Sequence, residues 1–229
     1  MTKTLSSQLL CILLAAQMAH AESPAPPKPA TRITTAETLV SAEKFDRAEA
    51  FAPKGKPGIT GWIGGIGVWS IKDDAAYAVQ EAPGKNRPNG HEAVCEHLVD
   101  LGDYVFTGEF KLGASPQVGF VCRDTNQPNL HQGRVMITPA AIWIQKMSGI
   151  GSTTRREELK RVEATIDPTT WHRITIEVCG DKLVARIDDH VLEGTHERFK
   201  ERKGRIGFVA KAEGGQFRHV SLWSARPKS

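Results

Sequence analysis

Cysteine is scarce in this chain, at four among 229 residues. None falls in a C-x-x-C pair, which excludes a zinc knuckle or a dithiol redox motif. The H-E-x-x-H signature of zinc proteases is also missing. Its nearest approach is HEAVCEH at positions 91 to 97, whose histidines are six positions apart. On a helix they would diverge by about 240°, whereas on a strand every second residue shares a face. Long apolar runs are lacking too. The longest, Leu9 to Met18, is about half the ~20 residues a membrane span needs. An excess of one charge is absent, with 30 Lys and Arg against 26 Asp and Glu. The positives are interleaved with acids, as in RREELKRVE, so there is no basic stripe for nucleic acid. Helical periodicity is almost absent throughout.

What is present begins with an export signal. A lysine, the short apolar run and Ala19-His20-Ala21 form a signal peptide over residues 1–21 with an A-x-A cleavage site. The sequence therefore predicts a periplasmic or secreted, monomeric protein with no membrane span. Residues 22–38, ESPAPPKPATRITTAET, are proline-rich and too poor in apolar groups to pack, so they read as a linker. Residues 39–229 form one domain, large enough to bury about 70% of its unfolded surface. Cys95, Cys122 and Cys179 survive cleavage, so an oxidising compartment permits one bridge and leaves one thiol, with no pairing preferred.

From Trp62 onward short runs alternate at period 2 between Gly, Pro, Asn and Asp. This is the pattern of an all-β, two-sheet antiparallel sandwich. One stretch departs from it. Thr154-Arg-Arg-Glu157 resembles a capping box and predicts a short helix over 155–163, with a charged loop feeding a strand at Val162 as the alternative. Parity assigns Phe106, Phe110, Leu112, Val118, Phe120, Val135, Ile137, Ile142 and Ile144 to the core. It leaves an outer row of His91, His97, Glu109, Arg123, Arg134, Trp143 and Gln145. If these strands share one sheet, the row suits a sugar, since rings stack on Trp143 while Arg123, Arg134 and Gln145 bind hydroxyls. The alternative, favoured by the residues alone, divides them between two sheets as solvent-facing groups. His172, His219 and Asp188-Asp189-His190 read as structural or turn residues.

The run from Trp171 to Asp181 (WHRITIEVCGD) and the closing strand from Gly204 to Val220 resemble the 3-keto-disaccharide hydrolase domain family. HEAVCEHLVDLGDYVFTGEFKL and VGFVCRDTNQPNLHQGRVMI extend the likeness over most of residues 60 to 225. The resemblance implies a concanavalin A-like jelly roll and a carbohydrate partner. It implies hydrolysis or elimination at glycosides of 3-keto sugars, with Glu109 or a histidine as base and a divalent metal on His91, His97 or His131. The chain departs from the family at Gln117 to Arg123, which stands for Asn-Ser-Gly-Ile-x-x-Arg. It departs again at GRVMIT, where the family's second motif carries a glutamate. A non-catalytic carbohydrate-binding module on the same fold is the competing expectation, and a structural protein with no ligand is a third.

Overall fold

The structure, a computed structural model, describes residues 25–53, 55–124, 131–149 and 153–229. The expected signal peptide and its expected cleavage site lie outside the described residues. Two antiparallel sheets make up the domain. The back sheet has eight strands: β1 (Thr34–Glu43), β3 (Val68–Ile71), β4 (Ala76–Val79), β6 (Tyr104–Lys111), β11 (His172–Cys179), β12 (Lys182–Ile187), β13 (His190–Thr195) and β15 (Glu213–Pro227). Its order is β13-β12-β11-β6-β15-β4-β3, with β1 also on β15. The front sheet has seven: β2 (Trp62–Ile66), β5 (Ala93–Leu101), β7 (Val118–Asp124), β8 (His131–Ile137), β9 (Ala141–Ser148), β10 (Arg155–Glu163) and β14 (Lys203–Ala210). Its order is β10-β9-β8-β7-β14-β5-β2.

The sheets meet through the apolar parity of their strands. Phe106 and Phe110 of the back sheet pack on Phe120 of the front sheet, with ring centroids 5.4 and 5.9 Å apart. Phe208 stacks on Phe217 at 4.3 Å. Such ring contacts add to the area term that dominates burial. Ile144 and Ile176 lie in the same cluster, so the expected core row is the observed one.

Two local expectations change. Residues 155–163 are strand β10, not a helix. Its Leu159 and Val162 pack against the core while its charged neighbours face solvent, and pairing with β9 outweighs a helix-start signal worth only a capping bond. The domain also starts earlier than residue 39. Strand β1 begins at Thr34, inside the stretch read as linker, because the buried carboxylate of Glu177 accepts from the backbone N–H groups of Arg32, Ile33 and Thr34 at 2.7 to 3.0 Å.

The turn and histidine readings hold. Asp188 has φ +47° between β12 and β13, and its carboxylate bonds His172 Nδ1 at 2.7 Å. Among the described residues Cys95, Cys122 and Cys179 are all free thiols. Burial pushes Cys95 well above the usual thiol range and Cys122 upward as well, so neither is a reactive thiolate.

Candidate functional site

The sandwich divides the expected outer row between its two outer faces. Glu109 belongs to β6 in the back sheet, while Arg123, Arg134, Trp143 and Gln145 belong to β7, β8 and β9 in the front sheet. Glu109 is engaged locally: Arg218 Nε donates to it at 2.9 Å, His219 Nδ1 lies 3.4 Å away and an Arg173 nitrogen 3.7 Å away. Beside it Arg218 stacks on Trp171 at 4.0 Å. With the core between them, Glu109 cannot act on a ligand held by the front sheet.

The front sheet's outer face carries a cleft of about 980 Å³. One wall is the segment before β5, from Arg87 to Glu92, pinned by the reciprocal backbone bonds of His91 and Glu81. The other is formed by Met147, Thr154 and Arg156 near the β9–β10 connection. Between them Arg123, His131 and Arg134 rise from β7 and β8. An apolar cluster of Val94, Val121, Met136 and Val209, with Ile66 and Trp143 against it, lies on this same face.

Two of the arginines are buried, Arg123 at 6% exposure and Arg134 at 4%. Each has a carboxylate partner from β5 or the residue before it. Arg134 pairs with Glu92 at 2.6 Å, and Arg123 pairs with Glu96. Glu96 is shared with Arg205, 3.4 Å away on β14. Gly207 opposes Glu96 across the β5–β14 pair, and a Cβ there would come within 2.0 Å of the Cys95 carbonyl oxygen. That close approach of β14 to β5 is open to glycine alone. Buried pairs of this kind hold only when both charges stay partnered.

His131 sits in this positive field. Burial first, then Arg134, Arg123, His91 and Arg156, lowers its pKa from 6.5 to about 2, so the ring is neutral at physiological pH. Arg134 Nη2 lies 3.4 Å from His131 Nε2. Because a guanidinium can only donate, Nε2 accepts and Nδ1 carries the proton. Among the described residues that Nδ1 is buried without a hydrogen-bond partner, and so is Nε of Arg134.

The expected histidine trio does not assemble. His91 and His131 line the cleft, but His97 packs edge-on against Trp62 at 5.4 Å with its ring nitrogens against the Leu98 and Thr60 carbonyls. Among the described residues no group of three His, Cys, Asp or Glu is placed to hold a metal. The surrounding arginines also oppose a cation, so the divalent-metal expectation does not fit these residues. Within β5 the parity read in HEAVCEH holds but its facing is reversed, while His91, before the strand, keeps the expected outer side. Ala93 and Cys95 point into the core, while Val94 joins the front sheet's outer apolar cluster. Trp143 and Gln145 lie on the expected face without lining the cleft. Trp143 Nε1 donates to Gln145 Oε1 at 3.0 Å, and Arg161 covers the indole at 5.0 Å, so the ring is not a free stacking platform.

Sequence reasoning missed Glu92, Glu96, Arg87 and Arg156. Glu92 and Glu96 share the parity of Val94, and that spacing was the available signal. Their partners come from strands distant in sequence, which no local pattern reveals.

Two stacked antiparallel sheets with this strand order form a concanavalin A-like jelly-roll sandwich. The chain is similar in fold to the carbohydrate binding module CBM66 from Bacillus subtilis, with a TM-score of 0.53 at 11% identity over 77% of this chain and 98% of that one. It is also similar to the CBM2 module of the evolved Dit of Lactobacillus casei BL23 phage J-1, with a TM-score of 0.55 at 10% identity over 85% and 98%. A LamA variant from Z. galactanivorans, solved in complex with laminaritriose and laminaritetraose, gives a TM-score of 0.59 at 9% identity over 83% and 100%. At these identities the likeness is one of fold. No family model matches the chain, and neither does any curated protein.

Proposed function

We propose that the chain is an exported carbohydrate-binding protein whose ligand lies in the front-sheet cleft. The observation that carries this reading is the cleft's construction: guanidinium and imidazole donors fixed by burial, set on a face with its own apolar cluster. Forked donors match vicinal hydroxyls, and apolar surface matches the C–H faces of a sugar ring. The sugar-binding modules on the same fold support the reading, and residues 1–21 support export.

The hydrolytic reading on 3-keto glycosides is the second in line. With Glu109 on the back sheet, its base would have to be Glu92 or His131. Glu92 is held by Arg134, and His131 is a poor base at a pKa of about 2. Calorimetry of the full chain against neutral and charged oligosaccharides, alongside turnover assays on 3-keto glycosides, tests both. The expected outcome is binding without turnover. Turnover abolished by Glu92→Gln would replace the binding reading with the enzymatic one, and no binding to any glycan would end both.

A further inference from the structure

We infer that the ligand of this cleft is an acidic oligosaccharide, one whose sugar carries a carboxylate or sulfate group seated against Arg134 and Arg123. The inference rests on the cleft being a carbohydrate site and adds the chemical class of its ligand. The charge balance is the first ground. Arg87, Arg123, Arg134 and Arg156 line the cleft, and Arg205 adjoins it through Glu96. The carboxylates paired with these arginines are Glu81, Glu92 and Glu96, so five guanidinium groups meet three acids. The connecting segments 125–130 and 150–152, TNQPNL and IGS, contain no ionisable side chain and leave this balance unaltered.

The second ground is independent of net charge. Arg134 is nine-tenths buried, with Nη1 on Glu92 and Nη2 on His131, and its Nε has no hydrogen-bond partner among the described residues. The neighbouring Nδ1–H of His131 is equally unpartnered among the described residues. Two buried donors without acceptors in a cationic cleft ask for an acceptor-only ligand group, and a carboxylate or sulfate meets that need where a hydroxyl does so weakly. Burial first, and then the positive field of the arginines, keep His131 neutral, and such a group would offset the second of these causes.

The test uses pairs of probes matched in backbone. β-1,4-Mannohexaose and β-1,4-hexamannuronate differ by a carboxylate at C6, and cellohexaose and its 6-O-sulfated form differ by a sulfate. The anionic member of at least one pair should bind the full chain about tenfold or more tightly at low salt, with the advantage shrinking as salt rises. The pair that shows it identifies the group. Arg156→Gln, at an exposed strand position, should lower that advantage about threefold or more while leaving the melting temperature unchanged, and Arg134→Lys should lower it further. Poly-glutamate of equal charge serves as the non-sugar control. Equal or tighter binding of the neutral members would overturn the acidic class while leaving the carbohydrate reading intact. Equal binding of poly-glutamate, or an advantage unaffected by both substitutions, would also overturn it. No binding by any of the four sugars would remove the carbohydrate reading itself.

Discussion

The two outer faces of the sandwich both bury charge, and they finish the job differently. On the back sheet Glu177 is 2% exposed, but the chain's own N-terminal segment supplies three backbone donors and the Thr34 hydroxyl. Every oxygen is partnered and nothing is left for a ligand. On the front sheet the buried Arg134 and its neighbour His131 retain unpartnered donors beside an open cleft. Buried charge alone thus does not mark a site. The distinction lies in whether the protein itself completes the hydrogen bonding.

Mutations can sharpen or break this contrast. The largest effect is expected at Glu177, where Glu177→Ala leaves three backbone donors and a buried hydroxyl without their acceptor. The loss should be about 3–5 kcal/mol by urea denaturation, with glycan affinity unchanged in the folded fraction. A loss below about 1 kcal/mol would mean the back face is no better completed than the front. Next comes Glu96→Gln, which weakens the partner of Arg123 and Arg205 and should cost about 2–4 kcal/mol, read in the same way.

A smaller effect depends on pH. The folded His131 titrates near 2 and the unfolded one near its ordinary value of about 6.5. Below pH 6.5 the unfolded chain therefore takes up a proton that the folded chain refuses. This cost grows as pH falls and vanishes above about pH 7. His131→Gln should recover about 1–2 kcal/mol at pH 5 relative to the same comparison at pH 7. A pH-independent difference between variant and parent would show that His131 is not held in a cationic, desolvated place. The smallest effect belongs to Glu109→Gln. It lies in a half-exposed ion-pair cluster on the other face, so it should change stability by less than about 1 kcal/mol and leave glycan binding alone. A clear loss of binding or turnover would return Glu109 to the site and undo the contrast.

Much of the fold was legible. Period-2 alternation placed Phe106, Phe110, Phe120, Ile137 and Ile144 in the core, and all are buried there. Asp188 and His172 were readable because a turn needs positive φ and its carboxylate finds the nearest donor. The failures have specific causes. The 155–163 stretch carries a helix-start signal whose contribution is local and small, and pairing with β9 overrode it. Residues 34–38 looked too polar to pack, yet Thr34 is fully buried because Glu177, 143 positions away, accepts its N–H and hydroxyl. In HEAVCEH alternation fixed which residues share a side but not which side is inward, since both sides of β5 meet apolar neighbours.

By itself, then, the sequence determined the class of fold, the core parity of its strands, the absence of protease and knuckle motifs, and His91, Arg123 and Arg134 of the cleft. Those properties follow from local periodicity and spacing, which act between near neighbours along the chain. Only the tertiary structure decided that Glu109 and the arginines lie on opposite faces, that His97 packs on Trp62, that Arg87, Glu92 and Arg156 join the cleft, and that Glu96 pairs with Arg123. Strand order settles these, because adjacency across a sheet depends on which distant strands pair, and alternation within one strand carries no information about its partners.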